Sequence, residues 1–347
     1  MIDLRAVVLE KDGISYKEAP YPQIGPTDVI INVAYCGVCG SDYPRILEGK
    51  VKHFPIILGH EFSGVVHEIG DNVKTIKKGD KVACIPLIPC FECNACKKGY
   101  YSLCSNYKFI GSRVNGGYAE YVCIPEKNVL KLPNDVNLKN SAMIEPCTVS
   151  RHVFTMADVK NKTVAVIGSG LIGLFAVQWA KILGSSKAVL ITHGKKNLDS
   201  TIVGCDMVIP DDESENLKAE LIIDCAGTND SIVKAFKIAD VKSTIVLVGT
   251  PKKDLSFSIE DWEMINRKEI KMMGSWMSYS ADFPGVEWFD SVCHIEEMCS
   301  KVDLCIDKKY IELENIDSIF DHLRDKGNKK IVLFNKNFNC DSPEEKQ

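Results

Sequence analysis

The sequence has 347 residues, of which 45% are hydrophobic and 26% are charged, and its formal net charge is −5. This length predicts two domains rather than one core, and the negative charge argues against a nucleic-acid or membrane-surface partner. The N-terminus lacks the apolar core of a signal peptide, and no eighteen consecutive residues are apolar, so we expect a cytoplasmic protein.

Residue types that bind metals recur in the first 150 residues. The segment "CGVCGSD" contains Cys39 and Asp42, "LGHEFSG" contains His60 and Glu61, and "MIEPCTV" offers Glu145. One thiolate, one imidazole and one carboxylate leave a fourth position open, which is the arrangement of a catalytic zinc. Asp42 is suited to accept a hydrogen bond from a ligand histidine. The pattern alone also allows Cys39 and His60 to be ordinary core residues.

Four more cysteines follow in the segment "PCFECNACKKGYYSLC", with the spacing C-x2-C-x2-C-x7-C. Four thiolates suit tetrahedral zinc. An iron–sulfur cluster is the alternative, but such runs usually place a proline after the last cysteine, and here Ser105 follows. A site of four thiolates has no open position, so we predict a structural zinc held by Cys90, Cys93, Cys96 and Cys104.

A dinucleotide-binding fingerprint lies in "KTVAVIGSGLIGLFAVQWAKILG". An apolar strand over 164–167, a G-x-G-x-x-G turn and a helix from Leu171 are the context that this motif requires. Further strands are predicted over 187–192, 206–209, 220–227 and 243–250, with helices over 229–239 and 258–268. The stretch 150–275 is therefore predicted to be a doubly wound α/β domain. The dinucleotide phosphates are expected at the backbone of Gly168, Gly170, Leu171, Ile172 and Gly173.

The end of the second predicted strand bears on the choice of cofactor. NAD-binding domains commonly place an acidic residue about 20 residues after the glycines, where it binds the ribose hydroxyls. This sequence has Thr192 and His193 there, followed by Lys195 and Lys196. Two lysines would attract the additional phosphate of NADP, so we favour NADP over NAD. The alternative is that the lysines begin a solvated helix.

These motifs together resemble the zinc-dependent medium-chain dehydrogenases over about residues 1 to 335. Glutamate at position 145 resembles the sorbitol dehydrogenase branch, and the segments 109–121 and 267–288 resemble its galactitol-1-phosphate dehydrogenases. The resemblance implies a barrel-like β catalytic domain formed by residues 1–149 and 276–347, with the Rossmann domain inserted between them. It also implies NAD(P), a small-molecule substrate and a homodimer or homotetramer.

The resemblance further implies hydride transfer between a polyol phosphate and NAD(P) at the Cys39–His60–Glu145 zinc, with Glu61 beside it. Ser41 is expected to hydrogen-bond the substrate oxygen. Much of the family has a proton-relay histidine where this chain has Pro44, so the relay is expected to run through Ser41, zinc-bound water and Glu145 or Glu61 instead.

Three residues are candidates for substrate contact. Arg113, in a glycine-rich turn, could bind a phosphate, although an exposed loop arginine is the alternative. Trp276 and Tyr279 could line the substrate pocket or pack between domains.

Three other functions remain open at this stage. The protein could be a dehydrogenase of unphosphorylated polyols or of another secondary alcohol. It could also be a metal-free reductase, although such enzymes lack the Cys39 and His60 equivalents, or a zinc-stabilised binding protein without turnover.

Overall fold

The computed structural model describes residues 3–194, 198–324 and 329–338. Its contacts divide the chain into one unit of Met1–Glu145 with Asp307–Gln347 and a second unit of Pro146–Ile306. Within the described residues, no helix combines the length and the apolarity needed to cross a membrane.

The secondary structure elements are numbered in chain order. The strands are β1 Asp3–Glu10, β2 Gly13–Pro20, β3 Asp28–Gly37, β4 Ile56–Ile57, β5 Glu61–Ile69, β6 Lys81–Cys84, β7 Leu87–Ile88, β8 Lys108–Phe109, β9 Tyr121–Pro125, β10 Val129–Lys131, β11 Thr163–Ile167, β12 Lys187–Thr192, β13 Met207–Pro210, β14 Ala219–Asp224, β15 Ala239–Leu247, β16 Lys271–Gly274, β17 Asp307–Glu312 and β18 Lys329–Phe334. The α-helices are α1 Asp42–Glu48, α2 Asn94–Lys97, α3 Leu138–Ser141, α4 Ile144–Met156, α5 Leu171–Ile182, α6 Ser200–Val203, α7 Asn229–Ile238, α8 Ile259–Arg267, α9 Val286–Val302 and α10 Ile319–Arg324.

The first unit is built on β-sheets. Its main sheet has the order β10-β6-β5-β3-β18-β17, with β9 also pairing with β3, and a smaller sheet has the order β2-β1-β4. Strand β18 comes from the C-terminal segment and runs antiparallel to β3, with Val332 opposite Gly37. The prediction that the C-terminal segment completes an N-terminal β domain is therefore confirmed.

The second unit contains a six-stranded sheet of order β13-β12-β11-β14-β15-β16, in which all strand pairs are parallel. The order reverses beside β11, which is the arrangement of a doubly wound α/β fold. Apolar residues fill β11, β12 and β14 because both faces of the sheet are covered. The predicted Rossmann fold is confirmed, and α5 begins at Leu171 as expected.

The boundary between the units differs from the predicted one. The sequence predicts residues 276–306 in the catalytic domain, whereas the contacts place them in the second unit. The physical reason is α9, which packs against α5 and α6 and buries Trp288, Ile295 and Met298. These apolar contacts extend the second unit to Ile306, whereas a boundary drawn from the predicted strands ends the nucleotide-binding domain at residue 275.

Candidate active site

The four-cysteine segment forms a compact cluster of sulfur atoms. The Sγ atoms of Cys90, Cys93, Cys96 and Cys104 all lie within 4.8 Å of one another, and the separations include 3.5 Å for Cys90–Cys104 and 3.9 Å for Cys93–Cys104. Tetrahedral zinc with Zn–S bonds of about 2.3 Å holds its sulfurs about 3.8 Å apart. The cluster therefore has the dimensions of a closed zinc site.

The backbone around this cluster favours thiolates. The N–H of Cys90 donates to Sγ of Cys104 at 3.3 Å, and the N–H of Cys93 donates to Sγ of Cys90 at 3.4 Å. Backbone hydrogen bonds from Cys96 and Ser105 lower the pKa of the Cys93 thiol to about 5, whereas burial, Cys93 and Cys104 raise the pKa of the Cys96 thiol to about 12. A metal binds the thiolate and not the thiol, so these backbone hydrogen bonds stabilise the form of the cysteines that binds a cation.

A second group of ligand types meets at the ends of β3 and β5. These strands pair with Gly37 opposite Glu61, so the residues just after β3 approach those at the start of β5. Ligand atoms of Cys39, His60 and Glu61 lie within 4.8 Å of one another. His60 and Glu61 are only 3% and 2% exposed, so their polar groups need a strong partner.

Glu145, in the first turn of α4, interacts electrostatically with Cys39, His60 and Glu61. Burial raises the pKa of its carboxyl to about 8, the His60 side chain lowers it, and Glu61 and Cys39 raise it further. Burial, Glu61 and Asp42 likewise raise the pKa of the Cys39 thiol to about 12. One thiol, one imidazole and two carboxyl groups form a donor set that a divalent cation would stabilise in its ionised form.

Asp42 connects the elements around this cluster. Its fully buried carboxylate accepts hydrogen bonds from the Cys39 N–H at 3.1 Å, the Tyr118 hydroxyl at 3.0 Å and Arg45 Nη1 at 2.7 Å. Nδ1 of His60 lies 3.9 Å from Asp42 Oδ1 and, within the described part of the chain, has no hydrogen-bond partner. The expected pairing of Asp42 with the histidine is present as proximity, without a hydrogen bond.

Lys330 is a neighbour of the site that no sequence motif indicates. It is 5% exposed, and its ammonium group donates to the Val38 carbonyl at 3.0 Å and forms an ion pair with Glu61. Burial opposes the charge, but Glu61 and Cys39 outweigh it and raise the pKa of Lys330. The sequence feature that could have indicated Lys330 is a lysine directly before the apolar run "IVLF".

The glycine-rich turn between β11 and α5 lies at the point where the strand order reverses. A Cβ atom on Gly173 would lie 1.8 Å from the carbonyl oxygen of Gly168, so only glycine permits this approach of helix to turn. Gly170 is the N-cap of α5. The N–H groups of the first turn, at Leu171 and Ile172, are thus available for phosphate oxygens.

Two of the predicted cofactor-selecting residues, Thr192 and His193, lie at the end of β12. Thr192 is fully buried and donates its hydroxyl to the Gly194 carbonyl at 3.2 Å. The exposed His193 pairs with Asp211 at 3.1 Å, which places a carboxylate beside this strand end. Lys195 and Lys196 lie outside the described residues.

The residues expected to contact substrate have different environments. Ser41 is exposed beside Cys39, with its N–H 3.5 Å from the Cys39 sulfur, and its hydroxyl oxygen accepts from Arg45 at 2.9 Å. In the second unit, Trp276 is 56% exposed, whereas Tyr279 is 3% exposed. The Tyr279 ring stacks on Phe283 and Trp288 of the same unit, and these contacts do not distinguish a pocket wall from packing between domains.

Two family models match the chain. Residues 25–134 match the alcohol dehydrogenase GroES-like domain, and residues 172–291 match the zinc-binding dehydrogenase domain. Galactitol 1-phosphate 5-dehydrogenase of Escherichia coli K12 is 40% identical over 299 residues, which are 82% of this chain and 86% of the relative. The chain belongs to the zinc-dependent medium-chain dehydrogenase family.

Other relatives support a polyol or alcohol dehydrogenase. D-xylulose reductase A of Aspergillus oryzae is 30% identical over 78% of this chain and 81% of its own length. The crystal structure of galactitol-1-phosphate dehydrogenase from E. coli has a TM-score of 0.88 and 35% identity, covering 95% of this dehydrogenase and 99% of that chain. A zinc-binding dehydrogenase structure from Sinorhizobium meliloti 1021, bound to NADP, has a TM-score of 0.83 and 25% identity, covering 96% and 100%.

Proposed function

We propose that this dehydrogenase interconverts a polyol phosphate of the galactitol 1-phosphate type and the corresponding keto-sugar phosphate, using NAD(P). The observation that carries the proposal is the 40% identity to the E. coli galactitol 1-phosphate 5-dehydrogenase over 82% of the chain. A dehydrogenase of unphosphorylated polyols is the second candidate, because the D-xylulose reductase is also similar over most of the chain.

Two zinc ions per chain are part of the proposal. Cys90, Cys93, Cys96 and Cys104 would hold a structural ion. Cys39, His60 and Glu145 would hold the catalytic ion, with Glu61 as a neighbouring or additional ligand. When bound there, zinc would supply Lewis-acid chemistry that lowers the pKa of the substrate hydroxyl, and NAD(P) would supply the hydride acceptor.

The protein side chains orient the reactants and move the proton. Ser41 accepts a hydrogen bond from Arg45, which leaves the serine O–H available to hydrogen-bond the substrate oxygen. Asp42 fixes the Cys39 backbone, and Lys330 balances the charge of Glu61. With Pro44 at the usual relay position, the proton leaves the substrate through Ser41 and a carboxylate, either Glu145 or Glu61.

The first prediction concerns the phosphate. Arg113 lies in the turn after Phe109, whose ring is 5.4 Å from the His60 ring. Replacing Arg113 with alanine should lower kcat/KM for a polyol phosphate about ten- to a hundredfold, because a charged hydrogen bond is worth roughly 1.5–3 kcal/mol. The same variant should barely change kcat/KM for the free polyol, as steady-state assays with both substrates would reveal.

Arg113→Lys is the matched variant, since it keeps the charge and removes the planar fork. An intermediate loss is expected for it. Equal losses on phosphorylated and free substrates would mean that Arg113 only supports its loop, and a wild-type preference for the free polyol would favour the second candidate function.

The second prediction concerns the cofactor, for which we propose a preference for NADP. Replacing Lys195 and Lys196 together with alanine should raise KM for NADP about tenfold and leave KM for NAD within about twofold, because only NADP carries the extra phosphate. Asp211→Asn is the control. It removes a negative charge beside His193, whereas the lysine variant removes positive charges, so it should not raise KM for NADP. A wild-type preference for NAD would contradict the proposal.

A homodimer or homotetramer, as in the family resemblance, completes the proposal. Analytical ultracentrifugation of the zinc-loaded protein would distinguish either state from a monomer. Neither the polyol-phosphate assignment nor the metal assignment depends on that result.

A further inference from the structure

Two segments of the first unit form a basic surface. Residues 50–54 and 107–114 contain five basic side chains and no acidic one: Lys50, Lys52, His53, Lys108 and Arg113. Lys50 forms an ion pair with Glu48, just before the first segment, so the other four side chains account for the basic character of this surface. The segments touch, because Nε2 of His53 lies 3.2 Å from the carbonyl oxygen of Arg113. In a chain of net charge −5, this local excess of positive charge favours an anionic ligand.

Arg113 is held so that one edge of its guanidinium remains available. Nη1 donates to the Tyr107 carbonyl at 2.8 Å, and the guanidinium carbon lies 3.7 Å from the centre of the Tyr107 ring. Among the residues that the structure describes, Nε and Nη2 of Arg113 have no hydrogen-bond partner. That edge can donate two parallel hydrogen bonds to two oxygens of one phosphate.

His53 is fixed by the same turn. A carbonyl oxygen only accepts hydrogen bonds, so Nε2 of His53 carries the proton donated to Arg113. Nδ1 is then left for a second partner, and the His53 residue as a whole is exposed. In its imidazolium form His53 also donates from Nδ1 and carries a positive charge, and this is the form that can bind a phosphate oxygen.

The turn is fixed relative to the open metal site. Its backbone packs directly on Gly59, which precedes His60: a Cβ atom on Gly111 or Gly116 would lie 2.3 or 2.0 Å from the Gly59 carbonyl oxygen. The Arg113 N–H also donates to the Phe109 carbonyl at 2.9 Å, and the Phe109 ring contacts His60. An anion bound by Arg113 is therefore held at a set position relative to the ligand histidine.

We propose that His53 and Arg113 form a two-residue clamp for the phosphate end of the substrate. Arg113 binds two phosphate oxygens through Nε and Nη2, and His53 binds a third through Nδ1. The clamp rests on the proposed function, because it requires the substrate to be a polyol phosphomonoester. It assigns a specificity role to His53, a residue that no sequence motif singles out.

The test measures kcat/KM of the full-length, zinc-loaded enzyme for a polyol phosphate, the free polyol and the corresponding sugar acid. His53→Ala should lower kcat/KM for the polyol phosphate about tenfold and leave the free polyol within about twofold. His53→Gln keeps an N–H for the Arg113 carbonyl but cannot become charged, so it should show a similar loss. Lys78→Ala, which removes an exposed charge outside both segments, should change neither value.

The double variant His53→Ala, Arg113→Ala adds a second readout. Two groups that bind one phosphate are coupled, so the double variant should lose less than the product of the two single losses. If the wild type prefers the polyol phosphate but both His53 variants alter all substrates equally, or none, the clamp is wrong and the proposed function stands. If the wild type prefers the free polyol or the sugar acid, the proposed substrate class itself is wrong.

Discussion

Replacing Cys39 with serine, or Glu145 with alanine, is expected to reduce kcat about a thousandfold or more while the protein remains folded. Each change removes a proposed ligand of the open metal site, and Lewis-acid stabilisation of charge is worth several kcal/mol of the activation barrier. Steady-state kinetics and zinc analysis on the same preparations would measure the effect, and circular dichroism would verify the fold.

Cys293→Ser is the control for this experiment, because Cys293 is an exposed thiol outside both candidate metal sites. It should keep the wild-type kcat and zinc content. Full activity of Cys39→Ser in a preparation that lacks one zinc would refute the catalytic assignment.

Replacing Cys93 with serine should lower the stability of the protein and leave kcat nearly unchanged, which is the opposite of the result expected for Cys39 and Glu145. The change removes one of four clustered thiolates, so we expect the variant to lose about one zinc per chain and to melt about 5–10 °C lower. The kcat of the remaining folded, zinc-loaded fraction should stay near the wild-type value, because a closed site has no position for substrate. Differential scanning calorimetry, zinc analysis and active-site titration would measure these three quantities.

Ser105→Ala, next to Cys104 but without a ligand atom for zinc, is a suitable control for Cys93→Ser. It should retain both ions and the wild-type melting temperature. A Cys93→Ser protein that is stable, holds two zinc ions and is inactive would contradict the structural role.

The elements with strong local signals were predictable from sequence. The glycine fingerprint defined the turn between β11 and α5, because only glycine tolerates the approach of position 173 to the backbone of position 168. Buried parallel strands such as β12 read as continuous apolar runs. In contrast, β16 has the sequence "KMMG" at the sheet edge, where exposure removes the apolar pattern. The position of α9 follows from its packing on α5 and α6, which local sequence does not encode.

In the candidate site, too, some contacts are encoded by local sequence and others depend on tertiary structure. The four-cysteine spacing specifies a cluster by itself, because all ligands lie within one loop. Cys39, His60 and Glu61 come together through the pairing of β3 with β5, which the motifs suggested without defining. The partner of Glu61 could not be predicted, since Lys330 follows it by 269 residues and has no motif. The contact between His53 and Arg113 likewise depends on tertiary structure, across 60 residues.

The position of Lys330 on β18 has a consequence for biosynthesis. Strand β18 is translated after the whole second unit, so a nascent chain exposes Cys39, His60 and Glu61 long before the ammonium group that balances Glu61 is made. The four-cysteine loop is complete once Cys104 has left the ribosome. The proposed structural ion can therefore bind during translation, whereas the open centre reaches its final charge only when the last strand of the sheet joins β3. Metal loading of the two centres would follow this order, with the loop first.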